Sequence, residues 1–188
     1  MIRHPNVCML MGACVENNTF CLVMEYIPIT LESLLPTLSM RNTIYYALDI
    51  AKGMAWLHTR YSIFSHQGRI LTNNREPMVL HCDLKSDNIL IDNGRAKVSD
   101  FGLSTLFDPR SRAMMMEQKD REIHQAITAP EVAQQLKFSI RSDIYSFGCC
   151  LFLMFWKGRY AFSVDTVRLL PQTGDEEMVC YLFVVIHF

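Results

Sequence analysis

The stretch His81-Cys82-Asp83-Leu84-Lys85-Ser86-Asp87-Asn88-Ile89-Leu90, followed ten residues later by Asp100-Phe101-Gly102, decides the reading of this chain. It places a carboxylate, a lysine, an amide and a second carboxylate on two adjacent turns of chain. Metal-assisted phosphoryl transfer needs that set. One group must accept or orient a hydroxyl proton, a cation must neutralise the phosphate, and oxygen ligands must hold magnesium. Asp83, Lys85, Asn88 and Asp100 supply those chemistries in that order. A lone Asp-Phe-Gly is a weak signal because short matches are common, whereas the ordered combination is specific.

Working outward, other segments fall into a consistent order. His4-Pro5-Asn6-Val7, Leu22-Val23-Met24-Glu25-Tyr26, Ala129-Pro130-Glu131 and Ser142-Asp143-Ile144-Tyr145-Ser146-Phe147-Gly148 flank the central stretch. Together they resemble a eukaryotic protein kinase, most similar to the tyrosine-kinase-like group of serine/threonine kinases. In that likeness they stand for the turn before the fourth strand, the fifth strand and hinge, the end of the activation segment, and the start of the large buried C-lobe helix. The resemblance covers Met1 to about Phe162.

It implies an α+β, protein-kinase-like fold, with a mostly helical C-lobe carrying a remnant of the N-lobe β-sheet. Residues 1–27 would be the N-lobe remnant, 28–165 the C-lobe with an insertion at 61–78, and 166–188 an unmatched tail. The implied lineage activity is transfer of the ATP γ-phosphate to a serine or threonine hydroxyl of a protein substrate, with magnesium. Asp83 would be the base or orienter, and Lys85, the serine/threonine-type feature, would contact the moving phosphate. Asn88 and Asp100 would be the metal ligands. Met24 would stand at the gatekeeper position. The Glu25 carbonyl and Ile27 amide would meet the adenine, with Leu90 as its floor. His81 and Phe101 would pack together, Gly102 would let the backbone bend, and Asp143 would accept hydrogen bonds from the catalytic-loop backbone. Glu131 would want an arginine partner, for which Arg168 stands too early.

The chain also departs from the pattern. Its 188 residues hold no glycine-rich phosphate loop and no recognisable lysine–glutamate pair ahead of His4. Several charge-assisted phosphate contacts, each worth about 2 kcal/mol, are therefore missing. Cys82 replaces the arginine that grips a phosphorylated activation loop in the family, and His124 stands where a threonine usually supports Asp83 and Lys85. The expectation is a domain truncated at both ends and inactive as an isolated chain. A non-catalytic, pseudokinase-like scaffold with its own partners, or an incomplete gene product, stays open as the alternative.

Composition narrows the classes. Half the residues are hydrophobic, a fifth are charged and the net charge is −1, which fits a folded chain rather than a disordered one. No Lys/Arg cluster calls for nucleic acid or anionic lipid. The seven cysteines include no Cys-x-x-Cys pair, and the start is no signal peptide, so reduced thiols and a cytoplasmic location are expected. The apolar run 178–188 is too short to cross a bilayer, which takes about 20 residues.

Local patterning predicts two antiparallel strands over 7–15 and 20–26, split by Glu16-Asn17-Asn18-Thr19, and a short helix over 31–35. A helix over 40–58 is predicted with Ile44, Leu48, Ala51 and Ala55 on its apolar face, widened by Ile50, Met54 and Leu57. On that reading Asp49 and Lys52 are solvated and Trp56 belongs to the core. Asn93-Gly94 predicts a tight hairpin between 89–92 and 96–99. Residues 102–128 read as an irregular activation segment, whose Met114-Met115-Met116 run fits a flexible filler or a partner patch. Residues 141–156 read as a mostly buried helix.

Overall fold

Two turn-bounded apolar runs form the first hairpin. Strand β1 (Leu10–Glu16) pairs antiparallel with β2 (Thr19–Met24), in a register that sets Cys14 opposite Cys21 and Glu16 opposite Thr19. The structure, a computed structural model, describes residues 3–16, 19–59, 78–107, 114–115 and 127–156. All of the 61–78 insertion but Met78, most of the activation segment and the 166–188 tail lie outside the described residues. After β2 the chain runs extended to Thr30, whose hydroxyl caps helix α1 (Leu31–Leu34). Ser39 then caps the long helix α2 (Met40–Leu57) by accepting from Asn42 N.

The sequence resumes at β3 (Met78–Leu80), which pairs with β6 (Thr105–Phe107). Between them, β4 (Ile89–Asp92) and β5 (Arg95–Val98) form a hairpin closed by Asn93 and Gly94, with φ of 49° and 77°. Two consecutive left-handed residues make the mirror-image turn that matches strand twist, and Asn-Gly is the pair that tolerates it. A two-residue strand, β7 (Met114–Met115), pairs with β8 (Lys137–Phe138). The methionine run thus lends two residues to a paired strand. Helices α3 (Pro130–Gln135) and α4 (Ile140–Trp156) complete the described residues, and none of the helices there is long and apolar enough to cross a membrane.

The face of α2 that enters the core keeps the predicted Ile50, Met54 and Leu57 but differs in the rest. Ile44 and Leu48 are half-exposed, while Thr43, Tyr46, Ile50, Gly53, Met54 and Leu57 are buried. The buried set still follows helical spacing, rotated from the predicted stripe. Small and polar residues at 43, 49 and 53 mask it, because Thr, Asp and Gly carry no hydrophobic signal. Asp49 is likewise buried rather than solvated, and receives Arg95 Nε at 2.8 Å, Arg95 Nη2 at 2.9 Å and the Ala96 amide at 3.1 Å. Lys52 is exposed, and Trp56 is half-buried and stacks on His4 with ring centroids 5.4 Å apart.

One seam joins the first segment to the rest. Cys8 N donates to Val98 O at 2.8 Å and Val98 N to Asn6 O at 2.9 Å, a parallel bridge between residues 7 and 98. Asn6 Nδ2 adds a buried bond to Ala96 O at 3.0 Å. Helix α2 closes on this seam at Gly53, where an added Cβ would stand 2.4 Å from the Asn6 carbonyl oxygen and 3.1 Å from a Val98 methyl. Gly53 is therefore needed for close approach, at the helix-propensity cost of about 1 kcal/mol. Gly53→Ala is expected to lower unfolding free energy by about 2 kcal/mol through this backbone clash, read from the urea midpoint at unchanged slope.

Burial pushes the Asp49 carboxyl up, but hydrogen bonds from Arg95 and Ala96 outweigh it and hold it below the ordinary value. The sign follows: a depressed carboxylate contributes stability above its unfolded pKa and loses it as pH falls through the folded one. The Tm gap between the wild type and Asp49→Asn should be constant at neutral pH and shrink below about pH 4.

Candidate active site

The buried carboxylate of Asp143, in the first turn of α4, organises the segment between β3 and β4. Its Oδ2 accepts from His81 N at 2.8 Å and pairs with His58 Nε2 at 2.9 Å, while Oδ1 accepts from Cys82 N at 2.9 Å. The position suits an anion, because unpaired amides at a helix start carry partial positive charge. Cys82 has a φ of 66°, in the left-handed region that L-residues avoid. The hydrogen bond from the Cys82 amide to Asp143 holds the chain in that bend and turns it toward Asp83.

His81 is fully buried. Its Nδ1 accepts from Asp83 N at 3.3 Å, so its Nε2 carries the proton and donates to Ser99 O at 2.9 Å. Burial pushes the imidazole pKa down, against the pull of Asp143, so the ring stays neutral in the tautomer these bonds require. The Phe101 ring lies 5.4 Å from it, tilted by 52°. Ser104 Oγ donates to His81 O at 3.2 Å, tying the start of the activation segment to the same point.

Asp83, Lys85 and Asn88 come together. Lys85 Nζ lies 3.1 Å from Asp83 Oδ2, and Asn88 Nδ2 donates to the same oxygen at 2.9 Å and to the Asp83 carbonyl at 2.8 Å. The side-chain contacts fall on Asp83 Oδ2, and both bonds of Asn88 use its amide nitrogen as donor. Ser86 Oγ donates to Glu32 Oε2, which ties this loop to α1. Beside Asp83 a cavity of about 20 Å³, walled by Thr128, Ser142 and Ser146, has room for about one water.

Asp100 is exposed, has a φ of 61°, and takes a 3.2 Å bond from Gly102 N on Oδ1. Aspartate tolerates this conformation better than bulky residues do. No group of three or more His, Cys, Asp or Glu side chains that could hold a metal occurs among the described residues. The oxygen donors here are the Asn88 amide and the Asp100 carboxylate. That sparse, hard set fits magnesium, which keeps several waters and takes other ligands from phosphate.

On the hinge side, Met24 ends β2, Ile27 is half-buried, and Leu90 is half-buried within β4 and bridged to Thr30. The Glu25 backbone carbonyl accepts from Cys8 Sγ at 3.7 Å, and its amide donates to Met9 O at 3.0 Å. Its carboxylate accepts from Met9 N at 2.6 Å and from Lys97 Nζ at 2.7 Å, and Lys97 also reaches Asp92 at 3.0 Å. A cleft of about 310 Å³ lies against Glu25, lined by Arg3, His4, Val7, Met9 and Lys97, and it excludes Met24, Ile27 and Leu90.

With this geometry established, residues 1–177 match the family described as protein kinase domain. The chain belongs to the protein kinase domain family. The match runs past Phe162, where recognisable motifs end. Among relatives, the probable serine/threonine-protein kinase drkC of Dictyostelium discoideum is 35% identical over 186 residues, covering 94% of this chain and 22% of that protein. The dual specificity protein kinase shkC of the same organism is 35% identical over 156 residues, 80% of this chain and 28% of that one. Integrin-linked protein kinase 1 of Arabidopsis thaliana is 33% identical over 159 residues, 80% of this chain and 30% of that one. The chain spans about a quarter of the length of these relatives.

Three features of this kinase domain escaped sequence reasoning. His58 reaches Asp143 across 85 positions of sequence, Lys97 links the hinge carboxylate to β5, and Ser104 holds His81. Only the first left a trace, a polar residue directly after an apolar helix. Glu131, in α3, is half-buried and in no ion pair among the described residues. Burial first, and then the Cys149 and Glu131 charges, push the Tyr145 phenol up to about 12.

Asp143→Ala would strand the His81 and Cys82 amides inside the protein. A loss of about 3 kcal/mol is expected in urea unfolding, well above the cost of Ser104→Ala, whose single longer bond is worth about 1 kcal/mol.

Proposed function

We propose that this chain carries the catalytic-loop half of a serine/threonine protein kinase, which moves the γ-phosphate of ATP to a protein hydroxyl. The observation that carries the reading is the convergence of Lys85 Nζ and Asn88 Nδ2 on Asp83 Oδ2. Asp83 orients the substrate hydroxyl and takes up its proton, a contribution worth about 10²–10⁴ in rate for general bases. Lys85, 3.1 Å away, neutralises the phosphate as it leaves ATP. Asn88 and Asp100 would hold magnesium, which supplies charge neutralisation on the phosphate oxygens when bound. Met24, the Glu25 carbonyl, the Ile27 amide and Leu90 would receive the adenine.

His81, Phe101, Gly102, Glu131 and Asp143 act as supports in this reading. The half-lobe division at residues 27 and 165, with an insertion at 61–78, is part of the same proposal. So is a cytoplasmic place of work, which an odd set of seven cysteines without a Cys-x-x-Cys pair favours. Transfer by these 188 residues alone is expected to be weak, since they contain no Gly-x-Gly-x-x-Gly loop to cover the phosphates.

The test uses protein purified from its native source alongside the 188-residue chain. Magnesium-ATP should raise the Tm of the native-source protein, and Asp100→Ala should abolish that rise. Asp83→Asn should retain the rise while phosphate transfer to a serine/threonine peptide pool falls about a thousandfold. No rise and no transfer with native-source protein would overturn the enzyme reading and leave a binding scaffold.

A further inference from the structure

The pairing register of β1 and β2 sets Cys14 directly opposite Cys21. Both thiols are free and exposed. Directly opposed residues on an antiparallel pair put their side chains on the same face, with Cα atoms about 4.5–5.5 Å apart in either class of pair. A disulfide asks for about 4.4–6.8 Å between Cα atoms, so either class meets that condition without backbone movement. The other described cysteines differ. Cys8, Cys149 and Cys150 are buried, and burial holds each of those thiols protonated, Cys149 up to about 12. Cys82 is half-buried in the bend held by Asp143.

We propose that Cys14 and Cys21 form a redox modification site, at which a hydroperoxide converts the pair to an intramolecular cross-strand disulfide. The thiolate of one cysteine attacks the peroxide, giving a sulfenic acid and releasing an alcohol, or water from hydrogen peroxide. The second thiolate then attacks that sulfur, the S–S bond forms, and the hydroxyl leaves as water. The peroxide is reduced by two electrons and the thiol pair is oxidised by two. A thiol reductant such as glutathione reverses the step through a mixed disulfide.

The site is selective because the second thiol is already in place. A sulfenic acid on an isolated exposed cysteine waits for a thiol from solution, whereas here the opposing strand presents one. The bond would staple the hairpin that leads into Glu25, whose amide and carboxylate both bond to Met9.

Hydrogen peroxide is the probe, on the full 188-residue chain, folded and in denaturing urea. After alkylation of free thiols, a glutamate-specific protease cuts at Glu16 and Glu25 and separates the two cysteines. In the folded chain the fragment ending at Glu16 should remain joined to 17–25, with loss of two hydrogens and of the Cys14 and Cys21 alkylation sites, Cys8 alone remaining alkylated. Cys14→Ser should abolish the cross-link, and Cys8→Ser should leave it intact. The dominant link should give way in urea to a scrambled set over the seven cysteines. The same scramble in the folded chain, a Cys8–Cys21 link, or linked dimers as the main product would each overturn the proposal.

Discussion

A single buried carboxylate governs the centre of this domain. Asp143 takes the amides of two consecutive residues, one on each oxygen, and the histidine that follows α2. Two adjacent amides can point at one group only if the chain bends sharply, and the left-handed φ of Cys82 is that bend. An ordinary L-residue avoids the region, so without the acceptor the loop would relax to another path. The position of Asp83, in a loop, is thus set by a residue 60 positions later on helix α4. Rigid support from secondary structure, rather than loop chemistry, gives the site its geometry.

A second layer of polar contacts ties this loop to its surroundings. His81 joins Ser99, Ser104 joins His81, and Ser86 joins Glu32. Each brings a different element to the loop: the end of β5, the activation segment and α1. The burial of His81 matters because a neutral ring is both donor and acceptor, and its two bonds here use one role each. A protonated ring would lose its bond from the Asp83 amide. Its lowered pKa and its wiring are therefore two views of one constraint.

Much of this was legible in the sequence. Turn chemistry located both hairpins, since Asn93-Gly94 has few alternatives and Glu16-Asn17-Asn18-Thr19 splits two apolar runs. The approximate limits of α2 and α4 followed from their apolar content. The face of α2 was legible only at Ile50, Met54 and Leu57, because its buried stripe also contains Thr43, Asp49 and Gly53. Asp49 is buried for Arg95 and Gly53 is small for Asn6. Such choices are invisible until the partner's position in space is known. The ordered catalytic-loop residues were legible because phosphate chemistry restricts residue type and spacing together. His58 and Lys97 were not, for their partners lie 85 and 72 positions away.

The seam between residues 6–8 and 96–98 has a consequence for how the chain acquires its shape. The Asn6 to Ala96 bond spans 90 positions, and it docks the first hairpin onto a strand made much later. During synthesis at about 5–20 residues per second, the leading segment emerges several seconds before its template exists. Closing so large a loop is entropically costly and comes late. Val7 and Cys8, buried in the finished domain, stay uncovered and available to other chains during that interval. The nascent chain should therefore be most prone to aggregate, and most dependent on chaperones, before β5 leaves the ribosome.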